Sequence, residues 1–236
     1  MTMVIQRKEY MNKLIAFKDK QLIKIVTGIR RCGKSTLLEI YQNWLLEHGT
    51  EKAQIISINF EDIDFEELTD YRRLYSYLKE RLVPGKVTYI FLDEIQHVED
   101  FPKVVDSLYI KKNVDIYITG SNAYMLSSEI ATLISGRYVQ IEMLPLSFKE
   151  YMESTGSMAD RGVKYAEYLE NSSFPYTLAL KGQPDEIRDY LEGLYNTIVV
   201  KDIVSRKKIT DTVMLKSVLR FVFDNIGNPL SSKKIA

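Results

Sequence analysis

Four short stretches of this 236-residue chain carry side chains whose types and spacing suit phosphate chemistry. The first, GIRRCGKST, runs from Gly28 to Thr36 and has the spacing G-x-x-x-x-G-K-[ST]. In such a loop Gly28 and Gly33 reach backbone angles closed to other residues, so successive amide N–H groups converge on phosphate oxygens. A helix starting at the loop adds the positive end of its dipole. The pattern predicts a cofactor-binding cradle of Gly28, Ile29, Arg30, Arg31, Cys32, Gly33, Lys34, Ser35 and Thr36. Lys34 is expected on the β- and γ-phosphates, Ser35 on Mg²⁺ through its hydroxyl, and Thr36 beside the α/β-phosphates. At least one of Arg30 and Arg31 is expected to pair within the chain, and Cys32 reads as a small loop residue.

The second stretch, YIFLDE, ends an apolar run with Asp93 and Glu94. An aspartate there suits Mg²⁺ or its water, across from Ser35. The adjacent glutamate suits a general base that orients and deprotonates an attacking water. Transfer to a small acceptor molecule needs no such base, so the pair favours ATP hydrolysis over a metabolite kinase. The third stretch, TGSN, brings Thr119, Ser121 and Asn122 to a strand end, as contacts to the γ-phosphate or lytic water or as plain turn residues. The fourth is Arg137, directly after Gly136, read as a transition-state cation or as an ordinary salt-bridged arginine. Whether it would serve its own nucleotide or a neighbour's stays open.

The elements that must position these residues alternate. Tyr10, Met11, Leu14, Ile15 and Phe17 predict a leading amphipathic helix over Lys8 to Phe17. LIKIVTG (Leu22 to Gly28) predicts a buried strand. Leu37, Leu38, Tyr41, Trp44 and Leu45 form the stripe of a helix stopped near Gly49. Strands are expected at Gln54 to Phe60, Val87 to Glu94, Val114 to Gly120 and Tyr138 to Leu144. Between them fall a helix capped by Asp70 and another over Phe101 to Ile110. Strands separated by helix-length segments imply βαβ crossovers and an α/β fold with a parallel sheet. The β pattern ends near Pro145, with helices expected beyond it.

Composition sets the outer bounds. Apolar residues make up 45% and charged residues 27%, which excludes a disordered or fibrous chain. The formal net charge is zero, but residues 1–36 carry +7, residues 51–100 carry −6 and residues 201–236 carry +5. The acidic residues Glu61, Asp62, Asp64, Glu66 and Glu67 read as a solvated loop. One cysteine forms no internal disulfide. The amino terminus has no apolar leader core, and no run approaches a membrane span. A soluble, cytoplasmic protein with no membrane partner is expected.

Taken in order, GIRRCGKSTLL, INFED, IFLDEIQ, ITGSNAYML, SGRYVQIEMLPLSFKEY and YLEGLYNTIVVKDIVSRKKI resemble the prokaryotic AAA-superfamily P-loop ATPases that carry a C-terminal domain of unknown function. That group is similar to the archaeal ATPases and the signal-transducing (STAND-type) NTPases. The resemblance implies a P-loop NTPase three-layer fold with a five-stranded sheet in the order 5-1-4-3-2. It implies Lys34, Ser35 and Thr36 as phosphate-loop residues, Asp93 as the magnesium aspartate and Glu94 as the base. Ser121 or Asn122 would sense the γ-phosphate, and Arg137 would be the arginine following the sensor strand. Where relatives carry a glycine-glycine-x-proline turn, this chain reads SSFPY, keeping Pro175 but with Ser172 and Ser173.

Residues 1–150 are thus expected to form the ATPase domain, 151–210 a helical region, and 211–236 the start of a winged-helix-like unit that stops before a recognition helix, as in a shortened chain. The expected activity is Mg²⁺-dependent ATP hydrolysis coupled to a conformational change. The competing expectation is a nucleotide-gated protein- or DNA-binding switch with little turnover. Expected partners are ATP, a protein partner or second copy, and nucleic acid through the basic carboxyl-terminal segment.

Overall fold

The computed structural model describes residues 5–121, 136–156, 160–198, 204, 209–229 and 231. The chain divides into two compact units, Met1–Lys181 and Gly182–Ala236. In the first, β1 (Ile23–Gly28), β2 (Ile55–Asn59), β3 (Thr88–Asp93), β4 (Val114–Ser121) and β5 (Tyr138–Met143) form one sheet in the order β2-β3-β4-β1-β5. All four pairings are parallel. This is the α/β P-loop NTPase arrangement expected from the sequence, read from its other edge. β1 and β3 are buried along their whole length, whereas the edge strand β2 alternates between buried and exposed positions. That difference is why LIKIVTG and YIFLDE read as unbroken apolar runs.

Period-two alternation splits the core into two layers. Ile23, Ile25, Ile90, Leu92, Ile116 and Ile118 face one side. There they pack with Leu74 and Leu78 of α3 (Tyr71–Glu80) and Val104, Val105 and Leu108 of α4 (Phe101–Tyr109). Val26, Tyr89, Phe91, Tyr117, Ile141 and Met143 face the other. Their partners are Met11 and Leu14 of α1 (Lys8–Ala16) and Leu37, Leu38, Tyr41 and Leu45 of α2 (Lys34–Glu47). Asp70 caps α3 as expected, its carboxylate accepting from the amides of Arg72 and Arg73 at 3.0 and 2.9 Å. The acidic stretch is not a loose loop: Ile63–Thr69 winds into 3₁₀ turns capped by Asp62. Phe65 and Leu68 hold it because they pack on the core.

The first two helices after the sheet belong with it in the first unit. PLSFKEY opens α5 (Phe148–Thr155) with a capping box, Ser147 at the N-cap and Glu150 three residues on. Glu150 also meets the buried Arg7 guanidinium at 3.2 Å, and Arg7 Nη2 donates to the Leu144 carbonyl. After α6 (Arg161–Asn171) the chain returns so that Leu146 N donates to Ser173 O at 2.8 Å. The second unit contains α7 (Pro184–Thr197), with Asp185 and Glu186 in its first turn, and α8 (Thr212–Asp224), capped by Asp211. Of the expected winged-helix start, residues 211–229 and 231 are described, and six of the eight basic residues of 201–236 lie outside the described residues.

A buried polar network ties the amino-terminal edge of the sheet. Lys24 on β1 pairs with Asp115 on β4, and both side chains are almost fully buried. Asp115 also accepts from the Asp19 amide and the Tyr117 hydroxyl, both at 2.9 Å. Burial pushes the Tyr117 and Tyr41 hydroxyls well above the phenol range, so both keep their protons. Tyr117 donates to Asp115, so across the 2.9 Å Tyr41–Tyr117 contact Tyr41 must be the donor. Lys24 also donates to the Lys20 carbonyl at 2.8 Å, anchoring the connection from α1 into β1. Asp115→Ala would strand a buried lysine, and urea unfolding should show a loss of about 3–5 kcal/mol. A loss below about 1 kcal/mol, the scale of a single hydrogen bond, would refute that assignment.

Candidate active site

Gly28 ends β1 in register with Ser121 of β4 and Met143 of β5, so the loop leaves at the carboxyl edge of the sheet. The two glycines of the loop act for different reasons. A Cβ on Gly28 would lie 2.4 Å from the Met143 carbonyl oxygen and 2.8 Å from Cys32 Sγ, so Gly28 is there for space. Gly33 is there for its angle: φ of 101° as the N-cap of α2. The expectation that both glycines supply unusual backbone angles therefore holds only for Gly33. Arg31 also takes a left-handed conformation, at φ 64°, and is exposed. Cys32 is buried, and burial pushes its thiol above the ordinary range. Arg30 pairs with Glu61 at 3.6 Å, an intrachain partner of the kind expected.

Leu37 N makes the first backbone bond of α2, to Gly33 O at 3.0 Å. The amides of Lys34, Ser35 and Thr36 therefore have no partner within the helix, and no acidic residue stands in the first turn. Lys34 is buried at this positive helix end. Its Nζ lies 3.3 Å from Glu94 Oε1 and donates a long bond to the Gly28 carbonyl at 3.4 Å. A buried cation added to a helix N-terminus creates a strong demand for an anion. Ser35 and Thr36 are exposed beside it.

Alternation along β3 puts Asp93 on the same face as Tyr89 and Phe91, the face that carries α2. Asp93 and Glu94 are each only 7% exposed. Glu94 turns the chain sharply, with φ of 53°. Thr119 of β4 joins the two acids: its hydroxyl donates to Asp93 Oδ1 and accepts from the Glu94 amide at 2.9 Å. Asn59, the last residue of β2, stands in register with Asp93. Burial raises the Glu94 carboxyl, but the Lys34 charge and hydrogen bonds from Gln96 and Lys34 outweigh it and hold the group below the ordinary range.

Not every expected residue reaches this edge. The Ser121 backbone does, by its pairing with Gly28, but its side chain and the whole of Asn122 fall outside the described set. Thr119 is the strand-end hydroxyl seen on the acids. Arg137 lies at the opposite edge, where its carbonyl accepts from Ile23 N at 2.8 Å. Five strand residues, about 16 Å, separate that position from Gly28. Its guanidinium pairs with Asp106 at 3.1 Å and lies over the Tyr109 ring. Gln96, bonded to Glu94, escaped the sequence reading; its place two residues after the acid pair was the available signal.

The SSFPY turn packs on the loop: the Pro175 ring would lie 3.9 Å from a Cβ at Gly33. Ser172 there adopts φ 70° and ψ 167°, a region suited to glycine. Ser172→Gly should relieve this strain and raise stability by about 1 kcal/mol in thermal or urea unfolding. An unchanged or lower stability would count against strain at this turn.

A family model described as an AAA domain matches residues 20–152. An uncharacterized protein of Haemophilus influenzae is 38% identical over 239 residues, covering 99% of this chain and 59% of the relative. An uncharacterized protein of Methanocaldococcus jannaschii is 29% identical over 232 residues, covering 91% of this chain and 49% of the relative. The chain thus spans about half the length of these curated relatives. The Walker-type ATPase PABY2304 of Pyrococcus abyssi superposes with a TM-score of 0.52 at 13% identity, covering 98% of this chain and 87% of that one, a likeness of fold alone. Among the described residues, no helix is long and apolar enough to cross a membrane.

Proposed function

The chain belongs to the AAA domain family, and on that footing we propose that it binds ATP with Mg²⁺ and hydrolyses the β–γ anhydride, coupling turnover to a conformational change. The observation that carries this reading is the Lys34–Glu94 pair at 3.3 Å, beside Asp93 and at an anion-seeking helix end. Triphosphate entering the loop competes with Glu94 for Lys34. As Lys34 turns to the phosphates, Glu94 loses its counter-charge, and burial then raises the carboxyl toward the range of a useful base. Binding in this way both places the substrate and arms the base that activates the attacking water. Motion of Lys34 away from β3 is the first step of the conformational change.

The donors fit the metal. Asp93 is a buried carboxylate at the strand end and Ser35 an exposed hydroxyl at the helix start. Among the described residues no group of three or more His, Cys, Asp or Glu side chains is placed to hold a metal ion. That set suits Mg²⁺, which binds through one or two protein oxygens together with substrate phosphates and water. When bound, the ion would be held by Asp93, directly or through water, and by Ser35, and would supply positive charge against the charge that develops on the phosphates. Thr119 fixes Asp93 and the Glu94 backbone in one frame, so the metal side and the water side of the site keep their spacing. Glu94→Gln should keep ATP affinity within a few-fold and lower phosphate release by about 10²–10⁴-fold. Turnover at the wild-type rate in that variant would end the hydrolytic reading.

Arg137 enters this reading through a second copy of the chain. From the opposite edge of the sheet it serves a neighbour's γ-phosphate, and its half-exposed pair with Asp106 costs little to open. Arg137→Ala should slow turnover by about 10³-fold. Mixing it with Glu94→Gln should restore part of the activity, because an intact site then faces an intact arginine. Two inactive variants that stay inactive when mixed would argue against action between copies.

A further inference from the structure

Gln96 stands in the short 3₁₀ turn Ile95–His97 that follows Glu94. Its side-chain nitrogen donates to Glu94 Oε2 at 2.5 Å, while Glu94 Oε1 faces Lys34. The opposite end of the amide, Gln96 Oε1, is buried and has no hydrogen-bond partner among the described residues. Rotating the amide would not cure this, because it would set a carbonyl oxygen against a carboxylate. Buried acceptors are almost always satisfied, so an unpartnered one beside a candidate base calls for a donor. The sharp turn at Glu94 and the anchoring of fully buried Ile95 in the core hold the two side chains together. The pair therefore presents two acceptors, one charged and one neutral, from a single rigid turn.

We propose that Gln96 is a catalytic residue of the hydrolytic reaction, its Oε1 accepting the second proton of the water that Glu94 activates. The inference rests on the hydrolytic reading above. A water seated between the two side chains gives one hydrogen bond to the Glu94 carboxylate and one to Gln96 Oε1. Its lone pair is then directed away from both, toward the γ-phosphorus. As the water oxygen bonds to that phosphorus, the bond from phosphorus to the β–γ bridging oxygen breaks and its electron pair leaves with ADP. One water proton passes to Glu94, and Gln96 neither gains nor loses a proton. Gln96 thus does two jobs: its N–H fixes the base, and its C=O fixes the nucleophile. Lysine cannot take over the second job, because an ammonium offers donors only.

Gln96→Met keeps the length and volume of the side chain but removes both hydrogen bonds. In the full chain it should lower kcat for ATP by about 10²-fold while leaving KM and the melting temperature unchanged. The double variant with Glu94→Gln should be no slower than Glu94→Gln alone, since both act on one water. If Glu94→Gln hydrolyses normally, the hydrolytic reading itself fails and takes this inference with it. If Glu94→Gln is inactive but Gln96→Met turns over like the wild type, only the role of Gln96 falls. A parallel fall in kcat, nucleotide affinity and stability, or losses that simply multiply in the double variant, would make Gln96 a structural residue and overturn the proposal.

Discussion

β1 is hydrogen-bonded to β4 on one side and to β5 on the other, and every other placement in the first unit follows from that double pairing. Parallel strands share one direction, so their carboxyl ends fall on one edge and their loops open there together. The 28–36 loop leaves β1 at that edge, the acid pair leaves β3, and Thr119 stands near the end of β4. Alternation then decides which side of the sheet each side chain takes. Asp93 follows Tyr89 and Phe91 onto the side covered by α2, so the strand acid and the helix start share a face without a specific contact being needed to bring them there.

The same geometry divides the sheet by task. Its amino-terminal edge holds the Lys24–Asp115 pair and the tyrosines that feed it, a satisfied and nearly dry network. Its carboxyl edge holds charges whose mutual pairing is incomplete: a lysine at a helix end that prefers anions, and a glutamate held by that lysine and one amide. Buried charge is stable only when compensated. At one edge compensation is internal and permanent, whereas at the other it is the kind that an incoming polyanion can replace.

Much of this was legible in residue order because the signals were local. The apolar runs of β1 and β3 and the leucine and tyrosine stripe of α2 each announce their own element. So does Asp70 at the start of α3. GKS and DE carry the loop and the acid pair by type and spacing. What escaped depends on contacts between segments far apart in the chain. The loop spacing predicts backbone freedom at Gly28, yet its requirement is the carbonyl of Met143, more than a hundred residues on. Arg137 follows a polar strand end in sequence, but the strand it introduces begins at the far edge, as the β1–β5 register shows. The five acids of residues 61–67 are solvated as expected, but the 3₁₀ turns that carry them escaped because their charges outnumber the two side chains, Phe65 and Leu68, that pin the stretch to the core. Ser147 and Glu150 of PLSFKEY have the spacing of a capping box, while the contact of Glu150 with Arg7 shows only in the fold.

Cys32 has a consequence beyond the packing of the loop. It is the single thiol of the chain, and it is sealed against Gly28 with its acidity suppressed by burial. A sulfur with neither access nor thiolate character takes no part in exchange. A disulfide through Cys32 therefore requires the loop to open first, which ties the chemistry of this thiol to the shape of the loop.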